Sequence, residues 1–277
     1  MSASALTTRR VDSITAPMSV PPAPLPPKLS CKICGGDSAR FSAVDFAKCC
    51  SPTPWDGRDP VGVPVMFYRC TGCGLIFTNF FDAWSPAEFK THVYNDGYLA
   101  VDGDYVETRP RQTAELIAGM FARRDLRVLD YGGGSGATAG FLGQRGFADV
   151  TVYEPFDSRF TDRPAGPFDL IVCVEVIEHS IDPNALARDL ASFLGDPGLI
   201  VLTTLVQDPS VETAKGEHWY LAPRNGHTHF HSTPSLQTCF GQTGLGVAHA
   251  NQNLHIVAKT VPDWARHLFE GAPAQPV

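Results

Sequence analysis

The sequence lacks any run approaching ~20 apolar residues, so no membrane span is predicted. It lacks the basic excess of a nucleic-acid binder: 22 Lys and Arg stand against 29 Asp and Glu, a net charge of −7. Arg9 and Arg10 are not followed by an apolar run of signal-peptide type, so no secretion signal is read and a cytoplasmic protein is expected. Charged residues are only 18% against 43% hydrophobic, which excludes full disorder, collagen and coiled coil. What remains is an ordinary globular enzyme composition. A chain of 277 residues can hold one medium domain with an appendage, or two small domains.

Residues 1–28 are read as a disordered leader. Pro17, Pro21, Pro22, Pro24, Pro26 and Pro27 favour extended chain and give nothing for a core. Residues 29–81 hold six of the eight cysteines and are read as a zinc-binding module. Residues 82–108 are an aromatic linker or lid, and 109–277 the main α/β domain. Residues 28–81 carry six basic and four acidic groups, a net of +2, while 82–277 carry about −10. That distribution disfavours nucleic acid as a partner. Oligomeric state is not legible.

Cys31-x-x-Cys34 and Cys70-x-x-Cys73 are two knuckles, each followed by glycine. Two such turns facing one another form a closed S₄ shell that suits a structural zinc. Disulfides need an oxidising compartment, and a redox CxxC needs a thioredoxin-like βαβ context; neither accompanies these pairs. Cys49 and Cys50 are read as buried thiols.

From residue 127 onward, apolar runs alternate with helical patterns. Strands are predicted at 127–131, 150–154, 168–174, 198–203 and 254–259. Helices are predicted at 109–123, 136–145, 183–194 and 233–242. Asp182-Pro183 and Thr233-Pro234 read as helix starts. This alternation predicts a doubly wound, mostly parallel sheet. The first strand runs into Asp130-Tyr131-Gly132-Gly133-Gly134-Ser135-Gly136, a glycine turn opening a helix. Such turns let the backbone approach a ligand at a helix N-terminus. Glu154 ends the second strand, placed to accept hydrogen bonds from ribose hydroxyls.

These elements, with residues 168–179 and 198–204, resemble the class I S-adenosylmethionine-dependent methyltransferases over roughly residues 105–260. The resemblance implies a Rossmann-like seven-stranded sheet whose last strand is antiparallel. It implies S-adenosylmethionine along Asp130, Tyr131, Gly132, Gly133, Gly134 and Gly136, with Glu154, Pro155 and Phe156 at the ribose and Glu175 and Val176 near the sulfonium. The third strand is poorly marked, since only about a dozen residues separate Glu154 from Phe168. With the knuckles, the chain is similar to methyltransferase-23-type proteins bearing an N-terminal zinc-binding domain, among them bacterial deoxysugar C-methyltransferases. Those imply a nucleotide-linked sugar or another polar small molecule as acceptor, a histidine base and nearby tyrosines.

Catalytic candidates are therefore His227 as general base, assisted by Tyr94, Tyr98, Glu175 and His179. Glu175-x-x-Glu178-His179 also resembles the cation-binding element of ubiquinone-type and small-RNA methyltransferases. The alternative is thus an O-methyltransferase in which Glu175, Glu178, His179 and His227 hold Mg²⁺. A further alternative is a zinc-ribbon module for RNA or protein on a non-catalytic fold. His229 and His231 are read as alternating along an extended segment with one face exposed. Arg224 is read as a surface ion pair or an acceptor-anion contact. Residues 80–105 are read either as a lid or as a hydrophobic strap.

Overall fold

The computed structural model describes residues 26–51 and 59–270. Most of the expected leader, residues 1–25, lies outside them, as does the C-terminal segment 271–277. Residues 26–28 already belong to the fold: the Pro26 carbonyl accepts from the Tyr68 hydroxyl at 2.9 Å, and Lys28 begins the first strand.

The chain runs β1 (Lys28–Ser30), β2 (Asp37–Asp45), β3 (Pro64–Cys70), β4 (Ile76–Thr78), α1 (Pro86–His92), α2 (Thr108–Met120), β5 (Arg127–Tyr131), α3 (Ala137–Gln144) and β6 (Asp149–Tyr153). It continues with β7 (Phe168–Val174), α4 (Pro183–Phe193), β8 (Leu194–Thr203), α5 (Ser210–Ala214), β9 (His229–Phe230), α6 (Thr233–Gly241), β10 (Gly246–His249) and β11 (Leu254–Ala258). The four predicted helices and five predicted strands are all present, with ends shifted by a few residues.

Among the described residues the main sheet has six strands, in the order β10-β11-β8-β7-β5-β6. β6, β5, β7 and β8 are parallel, and β11 joins β8 antiparallel, as the resemblance implied for the last strand. The expected count of seven is corrected to six. Between Tyr153 and Phe168 the chain makes turns, closed by a bond from the Glu154 amide to the Phe160 carbonyl at 3.0 Å. A parallel strand with its return crossover needs a dozen or more residues beyond the strand itself, and that length is not there. The inner strands are buried on both faces, which explains their continuous apolar runs: Leu170, Ile171, Val172 and Cys173 in β7, and Leu199 to Leu202 in β8.

Asp182 caps α4, its carboxylate accepting from the Ala185 amide at 2.8 Å. At α6 the cap is Ser232, one residue before the predicted Thr233. Ser232 and Ser235 exchange bonds through a capping box.

The small sheet is antiparallel, in the order β1-β2-β3-β4-β9. Its fifth strand comes from the far end of the chain: Ile76 pairs with Phe230 and Phe77 with His229. One apolar core runs from Ile33, Cys31, Cys70 and Cys73 through Phe77 to Ile171, Leu202 and Phe240 of the main domain. Phe81 and Phe89 are buried and stack at 5.7 Å, with Trp84 set edgewise against both. The stretch 80–93 is therefore packed as a strap, while Tyr94, Tyr98 and Tyr105 continue from it toward the glycine turn.

Candidate active site

The glycine turn leaves β5 and enters α3. Gly132, Gly134 and Gly136 all have positive φ (69°, 54° and 80°), a region that strains other residues. There is also no room for a side chain. A Cβ on Gly132 would sit 2.5 Å from Val176 Cγ2, and one on Gly133 would sit 2.6 Å from Asp130 Oδ2. Glu154 closes the turn, accepting from the Gly134 amide at 3.2 Å and the Phe156 amide at 2.9 Å. Burial raises the pKa of Glu154 and pushes that of Asp130 up to about 7, the nearby Glu154 adding to the latter. Asp130 Oδ2 is buried without a hydrogen-bond partner. The turn therefore offers a concave backbone and an unused acceptor, which fits the amino-acid end of S-adenosylmethionine.

The other expected cofactor residues divide. Val176 faces Gly132, and Phe156 is exposed beside Glu154. Tyr131 turns its side chain away: its hydroxyl donates to Asp189 at 2.8 Å and its ring packs on Tyr153 and Phe193. Only its main chain adjoins the turn.

Beyond β7, Glu175 is held with φ 53°, a strained position for a non-glycine residue. Its amide donates to Thr203 Oγ1, and its Oε1 accepts from that hydroxyl at 3.0 Å. Glu178 is fully buried. Tyr220 donates to its Oε1 at 2.9 Å, while Oε2 has no partner. Burial first, and then the charge of Glu175, raise the Glu178 pKa well above the usual carboxylate range.

His179, His227, Tyr94 and Tyr98, expected from distant parts of the sequence, do come together. Tyr94 Oη lies 3.3 Å from His179 Nδ1, the His179 and His227 rings are 4.8 Å apart, and Tyr94 meets Tyr98 edgewise at 5.1 Å. Burial lowers the pKa of both histidines, so both imidazoles are neutral near pH 7. His227 Nδ1 lies 2.8 Å from the Tyr220 carbonyl. A carbonyl only accepts, so Nδ1 carries the hydrogen and Nε2 keeps the lone pair. Donor atoms of Glu178, His179 and His227 lie within 4.8 Å of one another. Glu175, expected in that set, is outside it.

Two sequence expectations are corrected here. His229 and His231 are both buried, with neither face exposed, because β9 completes the small sheet. Arg224 does not lie at the surface. It is buried and donates to the Val93 carbonyl at 2.6 Å and to Asn95 Oδ1 at 3.1 Å.

The structure also brings to the site residues that the sequence did not assign to it. Cys50 Sγ lies 3.7 Å from His227 Nδ1. Tyr105 Oη would be 2.8 Å from a Cβ on Gly134. Arg109 forms a two-pronged ion pair with Asp102 at 2.9 and 3.0 Å. Tyr105 and Arg109 stand at the entry to α2, where no local motif marks them.

The four knuckle thiols form a second cluster. Cys31 Sγ is 3.6 Å from Cys73 Sγ, and Cys34 Sγ is 3.4 Å from Cys70 Sγ; none forms a disulfide. The amides of Ile33, Gly72 and Cys73 point at these sulfurs. Gly35 and Gly74 follow the knuckles with φ 72° and 75°. Four sulfurs at about 2.3 Å from one tetrahedral zinc stand about 3.8 Å apart, close to this spacing. The cluster fits zinc.

A family profile described as a methyltransferase domain matches residues 105–250. A ubiquinone biosynthesis O-methyltransferase from Bordetella avium (strain 197N) is 28% identical, over 47% of this chain and 65% of that protein. One of the same name from Caulobacter sp. (strain K31) is 29% identical, over 29% of this chain and 41% of that protein. The chain thus spans less than two thirds of the length of these curated relatives. Among solved structures, an O-methyltransferase family protein from Burkholderia thailandensis is similar with a TM-score of 0.49 at 13% identity, over 65% of this chain and 64% of that one.

Proposed function

The chain belongs to the methyltransferase-domain family, and on that premise we propose that it moves the methyl group of S-adenosylmethionine to a hydroxyl of a polar small molecule, with His227 as general base. A nucleotide-linked sugar, expected from the sequence, is one such acceptor. The observation that carries the reading is the convergence of Tyr94, His179 and His227 beside the glycine turn, with His227 buried, His179 half-buried and both imidazoles neutral. A neutral imidazole at physiological pH can take a proton, whereas an imidazolium cannot.

S-adenosylmethionine, when bound, supplies an electrophilic methyl on a sulfonium. In the transfer the acceptor's O–C bond forms, the C–S bond breaks with its electron pair going to sulfur, and the hydroxyl proton passes to Nε2 of His227. The amides of the glycine turn and the start of α3 would take the cofactor's carboxylate end, and Asp130 Oδ2 would accept from its ammonium. Glu154 takes the ribose hydroxyls. Tyr94 and Tyr98 wall the reacting atoms from water, and Val176 spaces them from Gly132. Apart from the reaction, Cys31, Cys34, Cys70 and Cys73 are assigned a structural zinc.

One observation favours a second reading. Glu178 Oε2 is buried and unpartnered beside His179 and His227. A divalent cation bound by these three residues would polarise the acceptor hydroxyl.

Calorimetry with S-adenosylhomocysteine tests the cofactor site. Wild-type protein is expected to bind. Gly134→Val, strained at φ 54° and colliding with Tyr105, is expected to lose binding at least ~100-fold, about 2.7 kcal/mol or more. A wild-type protein that binds neither S-adenosylmethionine nor S-adenosylhomocysteine would sink the enzyme reading. Native mass spectrometry with and without a chelator separates the two metals. The thiolate zinc is expected to stay, and a cation at Glu178 to leave easily.

A further inference from the structure

His227 sits on a loop, residues 218–228, whose only regular piece is a single 3₁₀ turn at Pro223–Asn225. Such a loop needs outside partners to hold one conformation. It finds them in the N-terminal region, in β4 and in the irregular segment that follows β2. Its exit is fixed where the Thr78 amide donates to the Thr228 carbonyl at 3.0 Å, and β9 then pairs with β4. Its middle is fixed by the Arg224 amide donating to the Lys48 carbonyl at 3.1 Å, and by the Cys50 amide donating to Asn225 Oδ1 at 2.8 Å.

The entry is held by an unusual group. Lys48 is 2% exposed, and its ammonium donates to the His218 carbonyl at 2.6 Å and the Leu221 carbonyl at 2.9 Å. Burying an ammonium is costly, and burial lowers the pKa of Lys48 accordingly. An apolar side chain of similar size would fill the space without that cost. It would not fix two carbonyls of an irregular loop. Those carbonyls flank Tyr220, and the Tyr220 carbonyl is the acceptor for His227 Nδ1.

We propose that Lys48 is a positioning residue for His227: by pinning the carbonyls on either side of Tyr220, it aims the Tyr220 carbonyl at Nδ1 and keeps the imidazole in the single tautomer whose Nε2 can accept a proton. This rests on the methyl-transfer reading only for its consequence; the tautomer itself is independent of it. The N-terminal region thereby has a second task beside holding thiolates. A lysine that merely fills space and braces the loop would support the fold without governing the tautomer.

The test reads the tautomer directly. Full-length protein labelled with ¹⁵N in its histidine rings is examined by long-range ¹H–¹⁵N NMR, with His227→Gln used to assign the His227 signal. Wild-type protein is expected to show His227 as the Nδ1–H tautomer alone. Lys48→Met is expected to show both tautomers while S-adenosylhomocysteine affinity stays within about twofold, since the lysine touches no cofactor residue. Lys48→Arg, which keeps a charged donor, is expected to restore most of the wild-type signal. Asn225→Ala cuts the second strut and is expected to give a smaller shift in the same direction; it decides the matter if Lys48→Met does not fold. A His227 that keeps the Nδ1–H tautomer alone in every folded variant overturns the proposal, as does a wild-type protein carrying its hydrogen on Nε2. Once an acceptor is known, Lys48→Met should lower kcat by about 10- to 100-fold, the usual cost of losing a group that orients a functional side chain. An absent methyl transfer with the tautomer shift intact would instead count against the methyl-transfer reading.

Discussion

Among the described residues, two side-chain clusters could hold a metal, and they are built in opposite ways. The thiolate cluster comes from two short sequence motifs, each folding on itself: Cys31 and Cys34 on one turn, Cys70 and Cys73 on another. Backbone amides already point at its sulfurs, and left-handed glycines close both turns. The carboxylate–imidazole cluster joins Glu178 and His179, after β7, to His227, nearly 50 residues later. It is largely buried, carries an unpartnered Glu178 oxygen, and holds its histidines neutral. The first is organised to be filled and left alone. The second keeps unused bonding capacity, as a site that exchanges protons or ligands must.

The largest expected effect comes from breaking the first cluster. Cys73→Ser should release the zinc and cost on the order of 10 kcal/mol in binding that is coupled to folding. Thermal unfolding with parallel zinc analysis checks it; a variant that melts with wild-type would mean the thiols are only core packing.

Acid sharpens the contrast. Burial depresses the pKa of His231 to about 3 and, less completely, that of His255 to about 4, and lowers His229 as well. The unfolded chain protonates its histidines near 6.5, so between that pH and the folded values it binds more protons than the native state. Stability should therefore be full above about pH 6.5 and fall below it, by up to ~1.4 kcal/mol per pH unit for each fully buried histidine. Urea unfolding at pH 7 and pH 5, with a zinc indicator to exclude metal loss, should show this slope; a flat profile would mean these histidines are open to water.

The smallest effect is expected at Glu178. Its folded pKa is raised, so the native state holds a proton that the unfolded chain gives up near pH 4.3, and stability is lost as pH rises. Glu178→Gln removes that loss and should leave the protein at least as stable as wild type at pH 7. If added Mg²⁺ stabilises wild type but not the variant, the cation reading gains; if it stabilises neither, the general-base reading stands alone.

The same contrast explains what could be read in the sequence. The knuckles, the glycine turn and Asp130 were legible because each is a short local motif, and Glu154 because it stands at the end of the next strand at a recognisable spacing from that turn. The convergence of Tyr94, His179 and His227 was legible only as a set of candidates from separate loops. Tyr220 beside Glu178, Cys50 against His227 and Lys48 under the loop were not, since no local pattern records a contact across 40 to 180 residues. The burial of Arg224 was missed for the same reason: two of its partners, Val93 and Asn95, lie about 130 residues away. The missing third strand was foreshadowed by the short spacing after Glu154, but the family pattern outweighed it. His229 and His231 alternate as expected of a strand. Their burial on both faces needed β4, which the sequence does not place beside them.

That pairing of β4 with β9 also bears on how the chain acquires its structure. As synthesis proceeds, β4 is finished some 150 residues before its neighbour exists. Until residues 229 and 230 emerge, the apolar edge at Ile76 and Phe77 has unpaired amides and carbonyls, the arrangement that invites edge-to-edge association. Closing so long a loop makes its formation a late event. Metal capture at the knuckles needs no such wait. The nascent N-terminal segment can hold its zinc early while its sheet stays open. A fragment cut at residue 81 would keep that sticky edge for good, so separate expression of the two regions should yield an aggregating N-terminal piece.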